Sequence, residues 1–212
     1  MYEKFRELPK EKQRRIINAA MEVFGQNDYR HAITDDIAVK AGISKGLLFY
    51  YFKDKKSLYL FLFEFSEALL QKQLQSGGLA GITDFFDLME YGAQMKFAVM
   101  SKYPYMMDFA LRAFYSENEA VSAELQKVMQ ARMSGIYQSY FGSIDWSRFR
   151  EGFDPPYLLR MLTWMTDGYL HEKRRGGEPI DLDEMMEDYH IWARMFKQLA
   201  YREEYLDDNA NH

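Results

Sequence analysis

The chain has 212 residues, 48% hydrophobic and 28% charged, with net charge −5 and no cysteine. That length allows one or two domains with a real core, and that composition is not disordered. Disulfide frameworks and thiolate metal sites are excluded, which fits a reducing compartment.

The N-terminus, MYEKFRELPKEKQRR, has no apolar stretch of the kind a signal peptide carries. No apolar run approaches the ~20 residues of a membrane helix. The charge is unevenly spread. Residues 1–56 hold 12 Lys and Arg against 8 Asp and Glu, and the remainder holds 15 against 24. Such a division points to a basic module that touches a polyanion, joined to an acidic body.

Helical periodicity runs through almost all of the chain, and no strand pattern is found. The first predicted helix spans Pro9 to Phe24, with Pro9 suited to its first position and Gly25 marking its end. Ile16, Ile17, Ala20, Val23 and Phe24 make its apolar face, opposite Lys10, Lys12, Arg14 and Arg15. A second helix begins at Thr34, whose hydroxyl is expected to cap it, with Asp35 and Asp36 complementing the dipole. Ile37, Ala38 and Ala41 face inward, and Gly42 breaks the helix. A third helix follows with Ser44 as cap and runs to Tyr51. Helix, glycine-containing turn, short helix is the helix-turn-helix spacing. Asp54 then opens a long helix to about Gln75, and further helices fit 83–102, 104–116, 118–141, 155–175 and 181–206.

The third helix holds Leu47, Leu48, Phe49, Tyr50, Tyr51 and Phe52 in a row, with lysines on both sides. Leu48 and Phe52, one turn apart, face the core. Lys45 presents charge, and Gly46 lets the helix approach another backbone. The tyrosine hydroxyls suit phosphates, and apolar edges suit thymine methyl groups. Lys53, Lys55 and Lys56 are placed for a phosphate strand. A competing reading makes Phe49, Tyr50 and Tyr51 a staple onto the next helix. Three neighbouring helix positions cannot all point into one core.

Residues 9–59 resemble the DNA-binding domain of the TetR (tetracycline-repressor) family of bacterial transcriptional regulators. The matching words are IINAAMEVFGQNDY, TDDIAVKAGISKGLLFYYF and KDKKSLY. The resemblance covers about a quarter of the chain. It implies an all-α fold of about nine helices: a three-helix DNA-binding domain over 1–56, and a ligand-binding and dimerisation bundle over 57–212. It implies DNA contacts from Thr34, Ser44, Lys45, Gly46, Leu47, Phe49, Tyr50, Tyr51 and Lys55. Leu47 stands where many members have threonine, and Phe49 where many have tyrosine. Both departures lose a hydroxyl, so sequence preference does not transfer.

The resemblance also implies a homodimer, a small-molecule effector, and a cytoplasmic, nucleoid-associated protein. Met185, Tyr189, Trp192, Phe196 and Leu199, spaced 4, 3, 4, 3, make a seam suited to helix pairing. Leu158, Leu162, Met165 and Tyr169 make another, with Tyr157, Met161, Trp164 and Gly168 on a second face of the same helix. One larger intrachain core is the alternative. A pocket for a bulky apolar molecule is assigned to Phe86, Met89, Met95, Met106, Met107, Phe114, Met133, Tyr137 and Trp164, since methionine and aromatics adapt to varied shapes. Glu90 and Asp108 would attract a cation. The same stripe can equally be plain core.

Enzyme readings find little. Glu187 and His190 spell one E-x-x-H, where a di-iron bundle needs two. His171–Glu172 has no second histidine in zinc-protease register, and no phosphate loop is present. No cofactor and no metal is expected. A nonspecific architectural DNA-binding protein is the second functional reading.

Overall fold

The computed structural model describes residues 2–75, 78, 81–114, 121–123, 125, 140–177 and 181–206. Among these the chain is all-helical, with no strand. The helices are α1 (Glu3–Arg6), α2 (Lys10–Gln26), α3 (Thr34–Ala41), α4 (Lys45–Phe52), α5 (Lys55–Gln75), α6 (Phe85–Met100), α7 (Met106–Phe114), α8 (Pro155–Gly176) and α9 (Leu182–Ala200). Most of the helix expected over 118–141 lies outside the described residues. No helix among the described residues is long and apolar enough to cross a membrane.

The chain divides into two compact units: Met1–Leu79 with Gln94–Gly142, and Ala80–Ala93 with Ser143–His212. Residues 1–56 lie wholly in the first, together with 57–79 and 94–142. Helix α6 contributes residues to each.

In the first unit α2 buries Ile16, Ile17, Ala20, Val23 and Phe24, the face its periodicity predicts. Two details of that reading change. Pro9 sits one residue earlier, as the N-cap, its carbonyl accepting from Gln13 N at 3.0 Å. Gly25 does not end α2, which continues to Gln26. A Cβ there would lie 2.9 Å from Asp108 Cβ and 3.1 Å from Phe109 N. Glycine is needed because α7 crosses α2 at that point, and Arg112 Nε donates to the Gly25 carbonyl at 3.0 Å. Ring packing of Phe109 on Tyr59 (5.0 Å) and Phe24 (6.4 Å) continues the contact. The short helix α1, which the periodicity did not predict, places Phe5 in the core of this unit.

The second unit is built on Phe85, Phe86, Phe149, Leu158, Leu162, Leu170, Met185 and Tyr201, all buried. Asp84 organises its polar centre. One carboxylate oxygen accepts from Phe86 N (2.8 Å) and Asp87 N (3.2 Å), capping the start of α6. The other meets Arg148 Nη1 at 3.0 Å and Lys197 Nζ at 3.2 Å. Helix α9 ends at Ala200 rather than near 206, because Tyr201 turns extended to form an isolated antiparallel bridge with Phe149. Arg150 N donates to Ala200 O (2.8 Å) and Arg202 N to Arg148 O (2.9 Å) around that bridge.

Candidate nucleic-acid interface

The helix-turn-helix is assembled by local chemistry. Helix α3 buries Ile37, Ala38 and Ala41, then closes at Gly42 in the left-handed region with φ 62°. Ile43 N reaches back to Ala38 O at 3.0 Å, the six-residue closure that satisfies a last-turn carbonyl. Arg15 Nε adds a bond to Ala41 O at 2.8 Å, fixing the turn to α2. Ser44 then caps α4, its hydroxyl accepting from Leu47 N at 3.2 Å. The cap on Ser44 is the one the sequence predicts. The cap on Thr34 is not: Ile33 occupies the N-cap position, with no side-chain cap bond, and Thr34 is the first helical residue, half-buried. The chain enters the helix one residue early, so the Thr34 side chain lies past the capping position.

Helix α4 sorts its crowded apolar run into faces. Leu48 and Phe52 are buried, as expected. Ser44, Lys45, Gly46 and Tyr50 are exposed, Tyr50 at 62%. Gly46 and Tyr50, four residues apart, share one side of the helix. Among the described residues, and apart from its own helical turn, an added Cβ on Gly46 would meet no atom within 4 Å. Leu47, Phe49 and Tyr51 are half-buried. The Tyr51 ring packs on Phe5 at 6.1 Å and on Tyr50 at 5.7 Å, so its body belongs partly to the core.

The flanking cations are engaged. Lys45 Nζ lies 2.7 Å from Asp35 Oδ2, and Lys40 Nζ lies 2.8 Å from Glu22 Oε1. Lys55 opens α5, donates to Arg30 O at 3.2 Å and stands over the Tyr29 ring at 4.8 Å. Asp54 receives Ser57 N at 2.7 Å, and that bond holds its carboxyl below the usual carboxylate range. His31 Nδ1 pairs with Asp28 at 2.8 Å, and that hydrogen bond holds the Asp28 carboxyl low as well.

The residues assigned to an effector pocket separate. Phe86, Met89 and Trp164 belong to the second unit, and Met95, Met106 and Met107 to the first. Two are buried: Phe86 against Phe85 (5.4 Å) and Tyr201 (5.3 Å), and Met106 in the first unit's core. Trp164 is 55% exposed beside Tyr157, at 6.1 Å, and Arg160. Met89 and Met107 are half-buried, as is Met95, whose Sδ lies 3.7 Å from Gln73 Nε2. The side chain of Phe114, and Met133 and Tyr137, lie outside the described residues. Glu90 is not left for a cationic ligand, since His190 Nε2 lies 3.2 Å from it.

The dimer seams are corrected by burial. Leu158, Leu162 and Met185 are buried within their own chain and are not available to a partner. Met165, Tyr169, Tyr189, Trp192 and Phe196 are half-buried, with Tyr169 and Trp192 packed ring to ring at 6.4 Å. Among the described residues of these two helices, the exposed large apolar side chains are Tyr157 and Trp164 on α8, and Ile191, Met195 and Leu199 on α9. Leu199 is the member of the predicted seam that faces outward. The α9 stripe is thus spaced 4, 4, one face over from the predicted 4, 3, 4, 3.

Comparison with known proteins agrees with this geometry. Residues 16–61 match a family model described as bacterial regulatory proteins, tetR family. The chain is 28% identical over 103 residues to the HTH-type transcriptional regulator QacR of Staphylococcus aureus, which covers 49% of this chain and 53% of that protein. It is 39% identical over 49 residues to the fatty acid metabolism regulator protein of Bacillus subtilis, covering 23% and 25%. The match thus spans about half the length of the first curated relative and a quarter of the second. A TetR family transcriptional regulator from Chloroflexus aurantiacus shares the fold at TM-score 0.64 and 22% identity, over 94% of this chain and 98% of that one. The resemblance read from the sequence is borne out.

Proposed function

We propose that this chain, whose residues 16–61 match the family model of bacterial regulatory proteins, tetR family, is a repressor that binds a near-palindromic operator as a homodimer and is released by an apolar small molecule. The carrying observation is the exposed edge of α4. Ser44 caps it, and Lys45, Gly46 and Tyr50 stand outward, with no atom of another described element within 4 Å of a Cβ on Gly46. A capped short helix with a bare glycine and an aromatic tip suits entry into a major groove, while flanking lysines hold phosphates.

The homodimer reading is supported by the exposed apolar side chains of α8 and α9. Association of two such faces would remove Trp164, Met195 and Leu199 from water. A two-fold dimer presents two copies of α4, and successive major grooves lie roughly 34 Å apart on one face of DNA. An effector that binds the form with the wrong spacing better releases the operator by shifting that equilibrium. The helix that follows α4, α5, is the element we assign to carry the change. The name of the Bacillus subtilis relative, a fatty acid metabolism regulator, favours an effector with a long apolar chain.

The single-residue test uses Tyr50→Ala and Lys55→Ala. Tyr50→Ala is expected to lose affinity for the operator more than for random DNA. Lys55→Ala is expected to weaken both and reduce the salt slope. Equal loss on both DNAs for Tyr50→Ala removes it as a base reader and favours the architectural alternative.

A further inference from the structure

Of the first eight residues four are charged, Glu3, Lys4, Arg6 and Glu7, and the others are Met1, Tyr2, Phe5 and Leu8. Nothing in the site requires them, yet the structure ties them to three helices at once. Phe5, 1% exposed, packs on Phe52 at 4.8 Å and Phe61 at 5.2 Å. Tyr2 packs on Phe61 at 4.8 Å and Phe52 at 5.9 Å, and its hydroxyl donates to Ser57 O at 3.1 Å. Gln13, itself buried on α2, donates through Nε2 to Arg6 O at 3.0 Å and Leu8 O at 2.7 Å. The segment therefore reaches α2, α4 and α5.

Its target is the C-terminal end of α4. Helix α4 has only eight residues, and Leu48 and Phe52 are its buried side chains. A helix that short has little stability of its own. It ends at Lys53, a non-glycine residue with φ 68° and ψ −55°. Asp54 N donates back to Phe52 O at 2.8 Å, closing a three-residue γ-turn of the rare, strained hand. Such strain persists only where surrounding packing over-determines it. Here the rings packed on Phe52 are Phe5 at 4.8 Å and Tyr2 at 5.9 Å from the N-terminal segment, together with Phe61 of α5 at 5.1 Å, on which both Tyr2 and Phe5 also pack.

We propose that Tyr2 and Phe5 are positioning residues for DNA recognition: they clamp α4 from behind at Phe52 and so fix the presentation of Tyr50 and Tyr51. The proposal rests on the operator-binding function above. Loosening the clamp should harm base reading, which demands placement, far more than phosphate attraction, which tolerates displacement.

The test compares wild type, Phe5→Ala, Phe5→Leu, Tyr2→Ala and Phe109→Ala. Phe109 is equally buried in the same unit, and its ring neighbours Phe24 and Tyr59 lie outside α4. The probes are the duplex that wild type selects from random-sequence DNA and a scrambled duplex of equal composition. Phe5→Ala is expected to lower the selected-to-scrambled affinity ratio by about ten-fold or more, and Phe5→Leu by less than about three-fold. The salt slope on scrambled DNA should not change. Amide hydrogen exchange should accelerate in α4 relative to α2.

A ratio that falls no further in Phe5→Ala than in Phe109→Ala, at matched loss of Tm, overturns the proposal. Should Phe5→Ala not fold, Tyr2→Ala removes a ring only partly buried, and an unchanged ratio there overturns it equally. If wild type itself shows no preference, the operator reading fails. The exchange comparison still decides the clamp, and equal acceleration of α2 and α4 in Phe5→Ala rejects it.

Discussion

Lys45 Nζ lies 2.7 Å from Asp35 Oδ2, joining the first turn of α4 to the first turn of α3. Both side chains are about half exposed, so the pair adds little to stability, on the order of 0–1 kcal/mol. Its consequence is for binding. A phosphate that recruits Lys45 must displace Asp35 or accept a carboxylate nearby. Asp35→Asn should therefore strengthen DNA binding several-fold at low salt and steepen the salt dependence by up to about one unit. Anisotropy titrations across a salt series read both. Unchanged affinity would place Lys45 away from the backbone.

Gly46 separates folding from function. Glycine in a helix costs roughly 0.5–1 kcal/mol relative to alanine. A Cβ at Gly46 meets nothing within 4 Å. Gly46→Ala should raise stability in urea by about that amount while weakening operator binding at least several-fold. Gain of stability with full affinity would mean that α4 approaches DNA by another face.

Asp84 should behave as a keystone of the second unit. Its buried carboxylate serves Arg148, Lys197 and the start of α6 together. Asp84→Asn keeps a capping oxygen but removes the counter-charge from two partly buried cations, Arg148 keeping only the more distant Asp145 at 3.7 Å. A loss of about 3 kcal/mol is expected from urea unfolding, at the lower end for broken buried pairs. A change below about 0.5 kcal/mol would show that the two cations find other partners or solvent.

Tyr201 gives the second unit an alkaline limit. Burial, and then the negative charge of Asp84, push its hydroxyl pKa well up. The unfolded chain loses that proton near pH ~10, while the folded chain keeps it. The unfolded state then holds fewer protons, so this contribution is complete below about pH 10 and is lost as pH rises further. Tyr201→Phe should flatten the stability profile above pH ~10. It also removes the acceptor of Phe85 N, 3.1 Å away, at a cost of about 1–3 kcal/mol near neutrality. An unchanged alkaline slope would contradict the assignment. Tyr2 and Tyr103, also pushed up by burial, leave some slope in either case.

The helix-turn-helix was legible because its determinants are local. Gly42, the Ser44 cap, and the Leu48–Phe52 pair act within a turn or two of themselves. The limits of sequence reading were equally physical. Periodicity shows that α8 has two apolar faces but not which one its own chain covers, so Leu158, expected at a partner face, is buried in its own chain, and Trp164, assigned to a pocket, is exposed. Gly25 reads as a stop because the crossing of α7 at Asp108 lies 83 positions away. The clamp of Tyr2 and Phe5 was hidden for a different reason. Four helical residues are too few to show a period, and the partners of Phe5 are 47 and 56 positions further on. Thr34 was misplaced by a single step at a helix start, where one residue decides whether a hydroxyl can reach the free amides.

The measurement that tests the central claim most directly is selection by the purified protein from a pool of random-sequence duplex DNA, at two salt concentrations, followed by sequencing. The account predicts one near-palindromic site, its half-sites separated by about one or a small multiple of a helical turn, recovered at both concentrations. Retention of every sequence at low salt and of none at high salt would contradict it.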